Sequence, residues 1–149
     1  MARSSRRLGA ALVVAAAVVV ADQTAKWLVR ANADRLPFKL VPGVRLELNY
    51  NSGISFGRLA GAGTVVTVLV GAVAAGVTAA LFLAPPRYRI ALGVVLGGAL
   101  GNLVDRFRFE GAVVDYFAVS VWPPFNVADA AIFVGTVLLV IEVLRASRT

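Results

Sequence analysis

The chain contains no histidine and no cysteine, so any reaction it performs must run on carboxylates, hydroxyls, lysines or the backbone. Composition thereby excludes the usual general base, the thiol nucleophile, disulfides and the commonest zinc ligands. No metal and no cofactor are expected. Four aspartates stand in or beside apolar sequence, at Asp22, Asp105, Asp115 and Asp129. Asp22 and Lys26 are spaced i, i+4 and can pair on one helix face, while Asn102 and Asp105 at i, i+3 share another. Arg106 follows as a planar bidentate donor. Asp115 lies inside Gly111-Ala112-Val113-Val114-Asp115-Tyr116-Phe117, and Asp129 comes three residues after Asn126. Two carboxyls close together in a partly dehydrated site cannot both ionise cheaply, so they share a proton and titrate in two separated steps. One member can then activate water while the other protonates a departing amine.

Each group also admits a plainer role. Asp22 and Lys26 can anchor a helix end at a membrane interface, and Asn102, Asp105 and Arg106 can form a polar latch between helices. Asn126 can cap a helix whose dipole Asp129 complements, which leaves Asp115 without such an account. The stretch Asn49-Tyr50-Asn51-Ser52-Gly53-Ile54-Ser55-Phe56-Gly57 can hold an extended peptide by hydrogen bonds. It can equally be a turn into a helix capped by Asn51 or Ser52.

The elements that must carry these residues follow from hydropathy. The 149 residues are 59% hydrophobic and 15% charged, with mean hydropathy +0.82, which describes one membrane-embedded domain rather than a water-soluble globule. Spans are expected over about 8–29, 59–84, 90–105 and 127–144, with outward segments at 30–58 and 106–126. Leu59 to Ala84 offers 26 uncharged residues, enough to cross a core of ~30 Å at 1.5 Å per residue. Leu8 to Ala21 begins like a secretory signal, but the run continues into a charged motif and is read as a span. The alternation of Val44-Arg45-Leu46-Glu47-Leu48-Asn49-Tyr50 predicts a strand in a small outward sheet, entered through a Pro42-Gly43 turn. The fold class is thus an all-α polytopic membrane protein with four transmembrane helices and a small extracytoplasmic β-sheet.

The net charge of +7 and a pI near 11.1 do not point to nucleic acid, because the bases cluster beside apolar runs. Met1–Arg7, Pro85–Arg89 and Arg145–Thr149 hold seven bases and no acid, the pattern of cytoplasmic segments. Both termini are therefore expected inside, and Asp22, Asp105, Asp115 and Asp129 near the outer interface. Acids in apolar helices cost ~2.5–3.5 kcal/mol each at the bilayer centre, so they face a protein interior or a wet cavity and mark function.

Taken together, Asp22-Gln23 with Lys26, Asn51-x-Gly53-x-x-Phe56-Gly57, Gly97-Gly98-Ala99-x-Gly101-Asn102-x-x-Asp105-Arg106, Val113-Val114-Asp115-Tyr116 and Phe125-Asn126-x-Ala128-Asp129 resemble the motifs of the lipoprotein signal peptidases, or type II signal peptidases. They stand in family order over most of the chain. The resemblance implies a four-span aspartic endopeptidase of the bacterial cytoplasmic membrane. Such an enzyme removes the signal peptide from diacylglyceryl-modified prolipoproteins by cleaving before the lipidated cysteine. It implies Asp115 and Asp129 as the catalytic pair, Asn51 as a residue associated with the substrate backbone, and Gly53, Asn102, Asp105, Arg106, Asn126, Asp22 and Lys26 as supporting the site or binding substrate. Asp105 competes with Asp115 as partner to Asp129; Arg106 beside it favours a permanently ionised carboxylate, whereas the apolar neighbours of Asp115 favour an adjustable one. Tyr116 departs from the family, where Phe is common. The expected partners are diacylglyceryl-cysteine prolipoproteins and membrane lipids, with the protein a monomer.

Three other readings make distinct demands. A Ser-Lys protease needs Lys26 or Lys39 free to act as base for Ser52, Ser55 or Ser120. A small proton carrier needs acids distributed through the membrane depth. A membrane scaffold needs none of the aspartates.

Overall fold

The computed structural model describes residues 2–52, 62–120 and 122–148. Along the chain run α1 (Ala2–Ala31), β1 (Phe38–Val41), β2 (Val44–Asn51), α2 (Ala62–Leu83), α3 (Arg89–Arg108), β3 (Val113–Val119), β4 (Trp122–Phe125) and α4 (Val127–Ala146). All four α-helices are long and apolar enough to cross a membrane, as hydropathy predicts; α1, α3 and α4 run past the expected ends at 29, 105 and 144, while α2 stops at Leu83, one residue short of 84. The residues 59–61 at the start of the second expected span lie outside the described residues, as do Gly53, Ser55 and Phe56.

The helices are not equivalent. Over its most apolar stretch α3 is 56% buried, against 11–17% for the other three, so α3 is the centre of the bundle and the others pack around it with outer faces toward lipid. Small residues make this possible, because without a hydrophobic drive between helices in lipid the backbones must approach closely to gain packing. A Cβ on Gly93 would stand 2.5 Å from Ala11 O on α1, and one on Gly98 would stand 2.5 Å from Ala128 O on α4. Ala11, Ala15, Leu81, Leu92 and Leu96 form the apolar core between α1, α2 and α3.

Beyond the helix ends lies one antiparallel sheet, ordered β1-β2-β3-β4. The predicted strand at 44–50 is β2, and Pro42-Gly43 is the turn before it, with Gly43 at φ 82°. The sheet is larger than the sequence reading anticipated, since half of it comes from the segment after α3. Asp115 therefore lies on a strand, paired across β2–β3 with Asn49, while Asn51 pairs with Val113. Periodicity hid β3 because Val113, Val114, Asp115 and Tyr116 are buried in succession, so apolar and polar residues do not alternate. Pro123 and Pro124 suit β4, an edge strand that needs few N–H donors. Asn51 ends β2 and α2 is described from Ala62; the residues between Ser52 and Ala62, where a cap for α2 was expected to act, lie outside the described residues.

Candidate active site

Asp115 and Asp129 reach the site from different elements. Asp115 is carried by β3. Asp129 sits in the first turn of α4, where Asn126 is the N-cap: its Oδ1 accepts from Asp129 N at 2.9 Å, and Asp129 Oδ2 accepts from Asn126 N at 3.1 Å. This capping box satisfies N–H groups that a helix start leaves unpaired. With its oxygen thus engaged, Asn126 turns its amide nitrogen to Asp115 Oδ1 at 2.7 Å. One asparagine therefore touches both aspartates.

Every carboxylate oxygen of the pair accepts an amide N–H. Asp115 Oδ2 takes the side-chain nitrogen of Asn51 at 2.9 Å, and Asp129 Oδ1 that of Asn102 at 2.8 Å. Asn51 reaches Asp115 because it lies two residues from Asn49, its cross-strand partner, and diagonal neighbours on one sheet face are within side-chain range. Asp115 is 2% exposed, and burial pushes its pKa up to about 6, with the charge of Asp129 adding to the rise and Asn51, Asn126 and Lys26 opposing it.

Asp22, Lys26 and Asp105 lie behind the pair and are all buried. Lys26 Nζ stands 2.8 Å from Asp22 Oδ2 and 2.9 Å from Asp105 Oδ2, so the i, i+4 pair anticipated at an interface is an interior triad between α1 and α3. The cation in direct contact with Asp105 is Lys26, and the adjacent Arg106 acts on it only through space. Arg106 Nη1 instead donates to Gly111 O at 2.7 Å and closes the turn after α3, while its buried Nε has no hydrogen-bond partner among the described residues. Sequence reasoning left Gln23 out of the site. Its amide nitrogen meets Asp105 Oδ1 at 2.9 Å and Asp22 Oδ2 at 3.2 Å, and its place beside Asp22 was the available signal.

On the open side of Asp129 is an apolar groove of about 490 Å³, lined by Val119, Trp122, Phe125, Asp129, Ala130 and Phe133. Tyr116, on the opposite face of β3 from Asp115, is buried with its hydroxyl facing the Val127 backbone N–H at the start of α4, and burial pushes its pKa up to about 12. No group of three or more His, Cys, Asp or Glu capable of holding a metal ion occurs among the described residues.

Residues 14–145 match the family model described as signal peptidase (SPase) II. The chain belongs to the lipoprotein signal peptidases. It is 41% identical over 140 residues to the lipoprotein signal peptidase of Moorella thermoacetica, covering 89% of this chain and 91% of that one. To the enzyme of Shewanella amazonensis it is 40% identical over 146 residues, covering 90% and 86%. Among solved structures, a bacterial membrane enzyme determined by the in meso method at 1.9 Å resolution superposes with a TM-score of 0.80 at 25% identity, covering 91% of this chain and 93% of that one. This signal peptidase is accordingly a protease of a bacterial inner membrane, in the family that processes the signal peptides of prolipoproteins. The Ser-Lys alternative fails on geometry where it relies on Lys26, whose ammonium hydrogens face Asp22, Asp105 and Asn102. Ser120, one of the three candidate nucleophiles, donates its hydroxyl to Gly43 O at 3.0 Å on the exposed hairpin side.

Proposed function

We propose that this peptidase is an aspartic endopeptidase in which Asp115 and Asp129 cleave diacylglyceryl-modified prolipoproteins before the lipidated cysteine. The observation that carries the reading is the convergence of the two carboxylates on Asn126, with all four oxygens held by amide donors and Asp115 raised by burial to about 6. Asp105 is reserved for support because its oxygens already accept from Lys26, Gln23 and Val114 N.

The chemistry assigns the shared proton to Asp115 and the negative charge to Asp129. Asp129 removes a proton from water as the water oxygen bonds to the scissile carbonyl carbon, and Asp115 gives its proton to the carbonyl oxygen. The resulting gem-diol collapses when Asp129 passes its proton to the amide nitrogen. The C–N bond breaks and one hydroxyl proton returns to Asp115, so water and peptide become acid and amine with the pair restored. The amide donors supply fixed polarity without reorganisation during the reaction.

Placement agrees with such a substrate. Asp129 opens a membrane-capable helix and Asp115 lies on the sheet beyond it, so the scissile bond meets the pair near the outer leaflet when both termini are cytoplasmic. The groove beside Asp129 accommodates apolar substrate, Asn51 beside Asp115 is assigned to the peptide backbone, and the protein acts as a monomer. The test is cleavage of a diacylglyceryl-cysteine prolipoprotein by purified protein in lipid. Turnover is expected for the lipidated precursor, poor turnover for the unlipidated one, and none for Asp115→Asn or Asp129→Asn despite retained folding. Persistent cleavage by both variants removes the assignment.

A further inference from the structure

Two carboxylates of the buried triad accept a backbone N–H from the residue immediately ahead of each proposed catalytic aspartate. Asp105 Oδ2 accepts from Val114 N at 2.9 Å, and Asp22 Oδ1 accepts from Ala128 N at 2.9 Å. Lys26 Nζ joins the two carboxylates and sends its third bond to Asn102 Oδ1 at 3.0 Å. An ammonium offers three hydrogens and no acceptor, so all three are engaged on a side chain that is 1% exposed. Because only an oxygen can face that ammonium, Lys26, together with the Asn126 side-chain nitrogen that donates to the same Asn102 Oδ1 at 3.1 Å, fixes which way Asn102 points, and the Asn102 nitrogen is left for Asp129 Oδ1.

We propose that Lys26 is the positioning residue of the aspartate pair: through Asp105 and Asp22 it places Asp115 and Asp129, and through Asn102 it orients the Asp129 carboxylate. The inference rests on the aspartic reading above. A buried ion pair contributes little stability beyond apolar residues of the same volume, so stability alone is a weak reason for three charges inside a membrane bundle. Their connections supply a better one. Asp115 arrives on a strand and Asp129 on a helix, and Lys26 on α1 is tied to the backbone just ahead of each. A displacement of its ammonium moves both carboxylates, and a misplacement of ~1 Å at a reacting centre costs on the order of 10²-fold in rate.

The test compares wild type with Lys26→Met and with the triple variant Asp22→Asn, Lys26→Met, Asp105→Asn, which keeps the shapes and removes the charges. Each is assayed as the full chain in lipid on a diacylglyceryl-cysteine lipopeptide, with thermal unfolding as the control for folding. The expected result is a fall in kcat of about 10²-fold with KM little changed. The groups acting on Asp115 are Lys26 on α1, Asn51 on β2, Arg106 on α3, and Asn126 and Asp129 at the start of α4. Removing the Lys26 charge alone is therefore expected to move the basic limb of the pH profile upward. A folded Lys26→Met or triple variant with wild-type kcat and pH profile overturns the inference. Loss of folding by both variants also overturns it, because it assigns the triad to the scaffold. If instead Asp115→Asn and Asp129→Asn keep turning over, the aspartic reading itself falls and takes this inference with it.

Discussion

Asn126 donates its side-chain nitrogen to Asp115 Oδ1 at 2.7 Å while its side-chain oxygen accepts the backbone N–H of Asp129. A helix cap is thereby also the bridge between two acids, and its amide cannot flip without giving up both bonds. Asn126→Ala is expected to lower stability by about 1–3 kcal/mol through the lost cap and the unpaired buried groups. It should lower kcat as well, since Asp115 loses a fixed donor. Thermal unfolding beside steady-state kinetics measures the two effects separately, and an unchanged kcat would deny the bridge a part in turnover.

Asp115 sets the pH dependence. Its pKa of about 6 lies above the ordinary value of 3.8, so the proton it supplies is lost as pH rises, and kcat/KM of the free enzyme is expected to decline above about pH 6. The same shift makes the folded state bind more protons than the unfolded state between about 3.8 and 6. The contribution of Asp115 to stability therefore improves as pH falls through that window and is unfavourable above it. Asn51→Leu removes a donor that favours the ionised form and should move the kinetic limb upward. A limb that stays in place when Asn51 is replaced contradicts this origin.

Gly101 is where the triad is most easily disturbed. A Cβ there would stand 2.7 Å from Asp22 Oδ2, so Gly101→Ala is expected to push that carboxylate off Lys26 and Ala128 N, costing about 1–3 kcal/mol together with much of the activity. Gly71 on α2 has nothing within 4 Å of its Cβ position, and Gly71→Ala should be neutral or stabilising by up to about 1 kcal/mol. Equal effects of the two changes on turnover would show that the contact at Asp22 is irrelevant.

Tyr116 carries a buried hydroxyl that faces the Val127 backbone N–H at the start of α4. A hydrogen bond of this kind contributes about 0.5–1.5 kcal/mol, so Tyr116→Phe is expected to leave turnover unchanged and to lower the unfolding temperature slightly. An unfolding temperature that holds or rises would show that the hydroxyl makes no bond worth keeping.

The groove beside Asp129 should respond to filling. Ala130→Trp places a large ring among Trp122, Phe125 and Phe133, and displacing apolar substrate surface there is expected to raise KM by about tenfold or more. Kinetics on lipopeptides of graded chain length would show whether the penalty grows with chain length, and an unchanged KM would place the substrate elsewhere.

The four helices, the strand at 44–50 and the family motifs are legible in the sequence because they depend on local properties: run length, alternation and residue type at fixed spacing. The triad was half legible. The i, i+4 spacing of Asp22 and Lys26 predicts that they meet, but it says nothing about burial or about Asp105, 79 positions further on from Lys26.

What only tertiary structure decided is which group answers which. Strand β3 carries no alternation because it is buried on both faces, and Arg106, next to Asp105 in sequence, leaves the direct contact to Lys26 because neighbours on a helix point apart. The packing of α3 between α1 and α4 brings Lys26 to Asp105 and Asn102 to Asp129. Hydrogen-bond direction, amide orientation and the proton affinity of Asp115 follow from contacts between residues distant in the chain. Residue type alone names the acids, and the surroundings that folding assembles determine how each one behaves.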